Sequence, residues 1–467
     1  MNVREVQTLV IRAPRGPAVA HQILRIPEGL GRAAACLLNQ VNPSFGPELA
    51  AWPSCSIGFS FAGLEAIGVP EGYLRPFRRL APAFAQGAVR RSGRLGDSGD
   101  SAAARWLPAF RQDRAHVVLS WHGAREAVVC DQAERFTQIW NTGLTVDKLH
   151  PHKSSVPLVG VRLSGPGKQE GHWVHFGFRD GLSEVCIDNS HPRPSAPDLR
   201  RHAEGALLLG RINDSGYNPF SLTQAPEKVR TFFYDSSFGI LRPMRQELAA
   251  FEQHVGRWAD ELTKKLGRSA SRDFIKAKLC GRWPDGQAVR PGEMVAPPKS
   301  LQSLVLNLNG DDAGTGCPFG SHVRRMRASP DSDASRFKRP LQRRGVPYGT
   351  ADWSGEADDN EARGLLGHFF CASIEDQFEH LLGQWGARPP LGFPPDNNAL
   401  DPLIGPHEEA SAALAVPLKD EATQYLSGFR TWTTTQGTLY AWHPSKSGLR
   451  ALLEDDFVPE DEEGPWL

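Results

Sequence analysis

RQELAAFEQHVGRWADELTKKL, residues 245–266, is the stretch on which the fold class turns. Its apolar residues Leu248, Phe251, Val255, Trp258 and Leu262 recur every three or four positions, so the spacing predicts a long amphipathic helix with one face buried. Strand candidates lie upstream at 237–241 and 205–210. Towards the N-terminus, VQTLVI (6–11) and AHQILRI (20–26) are β-rich, and 28–41 reads as a helix. A strand at 56–61 leads into a short helix at 62–67, and HVVLSW (116–121) leads into another helix at 126–140. Strand, helix and strand thus recur about twice, with connections suited to antiparallel pairing. This favours α+β with two similar halves over a doubly wound parallel sheet, although no residue-level repeat is visible. HPRPSAP at 191–197 is a loop that suits a connection between halves, which gives expected domains of 1–200 and 201–467.

A chain of 467 residues is long for one ordinary core. Lys+Arg and Asp+Glu are equal at 53 each, so the charge balance gives no reason to expect a nucleic acid or an anionic membrane as partner. The seven cysteines are scattered and never form C-x-x-C, which argues against a disulfide framework, a structural zinc site or covalent c-type haem attachment. MNVREVQTLVIRAPRGP has no apolar h-region, and no apolar run approaches the ~20 residues of a membrane span. A cytoplasmic protein is therefore expected.

Three segments carry chemistry. In HFGFRDGLSEV (175–185), Asp180 follows a strand ending near 176–178, between glycines that let the backbone bend towards a flat or bulky ligand. An Asp beside a Gly is also a common turn signature. In DDAGTGCPFGSHVRRMRAS (311–329), the single His322 follows a glycine-rich run and precedes Arg324 and Arg325. One imidazole there suits axial ligation of haem iron, and a guanidinium fork suits its propionates. RRGVPYG (343–349) alone says only that a turn is basic.

In order and wording, the three together resemble the dye-decolorising peroxidase family. Its G-x-x-D-G motif is matched by Gly177-Phe178-Arg179-Asp180-Gly181. The proximal-histidine segment is matched by Cys317-Pro-Phe-Gly-Ser-His322-Val-Arg324, and the distal-arginine segment by Arg343-Arg344-Gly345-Val-Pro-Tyr348-Gly349. Further likeness at 60–70, 232–255, 278–287, 362–385 and 401–405 extends it over nearly the whole chain.

The resemblance implies two ferredoxin-like domains forming a dimeric α+β barrel, with non-covalent haem b (iron protoporphyrin IX) held mainly by the C-terminal half. It implies a peroxidase that reduces hydrogen peroxide through a ferryl intermediate and oxidises dyes, phenols or other organic donors, and it allows a homo-oligomer. His322 would ligate the iron, Asp180 would move the peroxide proton, and Arg343 would stabilise charge as the O–O bond breaks. Gly177, Phe178, Gly181, Arg324, Phe370 and His368 would line the cofactor. Phe370 falls at the family's distal aromatic position and His368 where an apolar residue is usual; a register slip would instead make His368 a surface residue. The carboxylate behind His322 is either Asp401 or Glu375. Residues 327–329 depart from the family's Asn-Pro-Arg-like ending, so propionate or loop contacts are expected to differ there, and 454–467 reads as an acidic tail. A haem carrier with weak turnover is the alternative, and it would not need the Asp180–Arg343 pair. A haem-free module would purify colourless.

Overall fold

The computed structural model describes every residue except 1, 15, 49–52, 111–113, 145–156, 170, 188–197, 301, 327–338, 355–360, 389–399, 408–411 and 460–467. The loop expected at 191–197, the departure at 327–329 and the end of the acidic tail therefore lie outside the described residues.

In the first half, β1 (Ala18–Leu24), β2 (Ser54–Phe59), β3 (Val117–Gly123) and β4 (Leu158–Val161) lie in the spatial order β4-β1-β3-β2, with antiparallel pairing. The helix Glu126–Gly143 covers one face. It buries Val129, Ala133, Phe136 and Trp140, which sit three or four residues apart, and Gln22 of β1 donates to Ala133 O (3.1 Å) and Thr137 Oγ1 (2.6 Å). Four short strands follow: β5 (His172–Val174), β6 (Phe178–Asp180), β7 (Ser183–Ile187) and β8 (Asp198–His202). The boundary expected at 200 falls inside β8, which pairs in parallel with β7.

The second half contains β9 (Ser237–Gln246), β10 (Gln342–Arg343), β11 (Val346–Tyr348), β12 (Gly364–Cys371), β13 (Ala413–Leu418), β14 (Glu421–Ser427), β15 (Thr433–Thr435) and β16 (Leu439–His443). Its main strands lie in the order β16-β9-β12-β10. Counted within each half, both orders are fourth-first-third-second, so two ferredoxin-like modules stand in tandem. The duplication is plain in topology even though no sequence repeat shows it.

β16 joins the modules, pairing with β9 on one side and, through Trp442 and Phe59, with β2 on the other. At the opposite edge β4 packs back on β11 and β12. A Cβ on Gly160 would lie 2.7 Å from Val346 and 2.8 Å from Pro347 O, so glycine lets the two edges meet and the sheet rolls into a barrel. Gly160→Ala should accordingly destabilise the protein by about 1–3 kcal/mol, read as a lower urea midpoint. An unchanged midpoint would mean that the closure tolerates a methyl group.

The helix expected at 245–266 runs over Leu248–Leu266 and buries all five of its apolar markers. Its start is later than expected because Arg245 and Gln246 are drawn into β9, opposite Gly364 and Thr433. Residues 6–11, read as a strand, contain the short helix Thr8–Ile11, and 205–210 forms no strand. Short apolar runs do not distinguish the two states by periodicity. Among the described residues no helix is long and apolar enough to cross a membrane.

Candidate active site

His322 opens the short helix His322–Arg325, and the loop before it is pinned from several sides. The Asp311 carboxylate accepts from Gly316 N (2.9 Å) and Cys317 N (2.8 Å), and Lys278 Nζ donates to Thr315 O and Gly316 O, both at 2.7 Å. Burial pulls the Lys278 pKa down to about 8. Neither Asp311 nor Lys278 was foreseen; the only signal was an acidic pair ahead of a glycine-rich run.

Of the two carboxylates considered, the one behind His322 is Asp401. His322 Nδ1 lies 2.8 Å from Asp401 Oδ2, and the fully buried carboxylate also accepts from Leu403 N (2.9 Å) and Ile404 N (3.1 Å). Burial alone would raise the Asp401 pKa, but the charge and hydrogen bond of His322, helped by Arg325 and Leu403 N–H, outweigh it and hold the carboxyl below its usual value. Glu375 is engaged elsewhere, accepting from Ala83 N. The His322 side chain keeps 25% of its surface exposed. An imidazole whose Nδ1 is fixed by a buried carboxylate, and whose side chain stays partly exposed, is the donor type that haem iron ligation requires. The residues present fit haem.

Asp180 ends β6, and both flanking glycines have left-handed backbones (φ 79° at Gly177, 72° at Gly181). Gly177 reverses the chain between β5 and β6, and Phe178 is buried in the second-half core. Three residues beyond Asp180, Ser183 Oγ accepts from Arg343 Nη2 (2.9 Å). This bond ties Arg343, whose side chain is exposed, to the segment that carries Asp180. His175 Nε2, 2.7 Å from Tyr348 O, makes a second tie between the same two segments. Burial lowers the Arg162 pKa while the charges of Asp180 and Glu184 oppose it, so a further cation stands near Asp180. Sequence reasoning missed Ser183 and Arg162, although Ser183 lies within the quoted 175–185 segment. The two sides of the site rest on one hydrophobic cluster, which takes Phe178 from the Asp180 hairpin, Leu403 from the Asp401 turn and Val323 from the His322 helix.

Three expected cofactor contacts are corrected. The Arg324 guanidinium is buried and occupied, donating to Asp311 Oδ2 (3.1 Å), Asp311 O (3.0 Å) and Cys317 O (2.6 Å), so it braces the loop. His368 and Phe370 lie on the wrong face. Arg343 is paired with Phe369, and cross-strand partners share a face, so Leu365, Gly367 and Phe369 are on the Arg343 side. His368 and Phe370 point the other way, into the barrel, where His368 meets His21 (5.2 Å between ring centres) and Phe370 meets His443 (5.0 Å). His368 is also no surface residue, being only 1% exposed.

The closed α+β barrel thus carries a carboxylate-backed histidine, and an arginine tethered by Ser183 to the segment that holds Asp180. The family model described as "DyP dimeric alpha+beta barrel domain" matches residues 38–155. Dye-decolorizing peroxidase msp1 of Mycetinis scorodonius is 26% identical over 85% of this chain and 76% of its own. Multifunctional dye peroxidase DyP2 of Amycolatopsis sp. is 24% identical over 97% of this chain and 93% of its own. Among solved structures, a fungal DyP-type peroxidase from Auricularia auricula-judae superposes with a TM-score of 0.75 at 19% identity, covering 97% of this chain and 99% of that one. A dye-decolorizing peroxidase in complex with 2,6-dimethoxyphenol also gives 0.75, at 20% identity and the same coverage. The chain thus carries the barrel domain of the dye-decolorising peroxidases, which are haem peroxidases, is similar to them over most of its length, and is a peroxidase.

Proposed function

We propose that the protein reduces hydrogen peroxide at a non-covalently held haem b, taking electrons from dyes or phenolic donors of the kind its relatives are named for. The observation that carries this reading is the His322–Asp401 pair, a histidine donor already oriented by a buried carboxylate. His322 would hold the iron, with Asp401 keeping its Nδ1 protonated and its ring in place. When bound, haem supplies the redox centre at which the peroxide oxygen is reduced.

The chain's own groups would handle the proton. Asp180 accepts it from one peroxide oxygen and returns it to the other, which departs as water. Arg343 holds the negative charge that builds on the departing oxygen, and Ser183 keeps the guanidinium in place. Two electrons and two protons from the donor complete the conversion of peroxide to two waters. Asp180→Asn keeps the shape and removes the base. Its rate with peroxide should fall by about 10²–10⁴-fold, with the Soret band of the resting protein retained. Stopped-flow mixing checks this, and an unchanged rate removes Asp180 from the chemistry.

A further inference from the structure

Four histidines meet inside the barrel, away from the site just described. His21 and His122 come from the first module, His368 and His443 from the second, and each is at most 4% exposed. The His21 and His368 rings stand 5.2 Å apart edge to face, and those of His368 and His443 are 5.6 Å apart. His443 is seated against two glycines, since a Cβ on Gly239 or Gly58 would come within 2.4 or 2.6 Å of its Nε2. Space on both neighbouring strands has thus been given up for this imidazole.

Within the protein, His21 Nδ1 has a partner in Ser120 Oγ (2.8 Å). His21 Nε2, His122 Nε2, both ring nitrogens of His368, both of His443, and Ser56 Oγ have none. The groups whose charges act on these rings are one another, Arg162 and Arg344, with no carboxylate among them. Arg344, whose backbone N–H donates to His368 O (2.7 Å), is paired with Glu184 (2.8 Å), and its Nη2 also lacks a partner. Buried polar atoms in native proteins are nearly always satisfied, and leaving this many unmet would cancel the stability of an ordinary domain. A metal ion is a poor occupant. No three His, Cys, Asp or Glu side chains among the described residues are placed to hold one, and the nearby arginines repel a cation.

We propose that the barrel encloses a binding site for a cluster of ordered water molecules, held by His21, His122, His368, His443 and Ser56. Each neutral imidazole offers one donor and one acceptor, so His368 and His443 can meet water at both ring nitrogens, and His21 and His122 at Nε2, without carrying charge. The cluster bridges the two modules, with two of its histidines supplied by each. It also completes the hydrogen bonding of Arg344, the residue next to Arg343. The inference does not depend on the peroxidase reading.

A crystal structure of the full chain tests it directly. Ordered solvent within hydrogen-bond distance of His368 and His443 is expected; a dry chamber, or a metal ion among the rings, overturns the proposal. His368→Leu gives the solution counterpart, because a dry and a wet chamber predict opposite signs. If water bridges the rings, leucine strands the waters and their neighbours, and the urea midpoint drops by roughly 0.5 M. If the chamber is dry, leucine removes two unmet nitrogens and the midpoint rises, which overturns the proposal.

Discussion

Replacing His322 with alanine should leave a folded protein that no longer retains its cofactor. His322 is partly exposed at the start of a four-residue helix, and the loop before it is held by Asp311 and Lys278. The scaffold therefore survives the change, while the one axial donor is lost. Haem content after gel filtration should fall to roughly a tenth or less of that of the wild type. Asp401→Asn is the graded companion. It keeps the shape but weakens the hydrogen bond to Nδ1, and it should cost about 10–100-fold in haem affinity. Haem titrations followed at the Soret band measure both. An alanine variant that purifies with full haem and an unaltered ligation spectrum would refute the assignment of His322.

Acidification should unfold the protein over a narrow range. Burial holds His21, His122 and His443 down to about 3 from an ordinary value of 6.5, and His368 is lowered as well. Between those pH values the unfolded chain binds protons that the folded chain refuses. The contribution of these groups is therefore complete above pH 6.5 and declines as the pH falls. Each histidine costs about 1.4 kcal/mol per pH unit in that window, or about 4 for the three together. Against a typical stability of about 5–15 kcal/mol, unfolding is expected between roughly pH 3 and 5. Urea midpoints measured at half-unit steps check this, and His122→Gln, which removes one of the four, should flatten the slope by about a quarter. Stability that stays level from pH 7 to 4 would show that the barrel accepts protons without opening.

Much of the site could be read in advance because its chemistry sits in short local motifs. The Asp180 turn needs two left-handed glycines, and the sequence displays both beside the carboxylate. The long helix announced itself through the five apolar residues it buries. Asp401 could only be narrowed to one of two candidates, since nothing local links it to a histidine 79 positions away. β12 was harder. GLLGHFFC is buried on both faces, so no polar alternation shows which residues face inwards, and a shift of one residue exchanges the faces. That shift put His368 and Phe370 at the cofactor instead of inside the barrel. The four histidines were illegible for a related reason, as they come from four strands whose meeting depends on the closure at Gly160.

The position of β16 also bears on how the protein is made. Phe59 waits for Trp442, so β2 leaves the ribosome some 380 residues before the strand that covers its edge. Throughout that interval the nascent chain presents β2 as an open template to any other extended segment, the condition under which chaperones are needed most. Slowed translation or premature termination would therefore yield sticky fragments instead of a working half-enzyme.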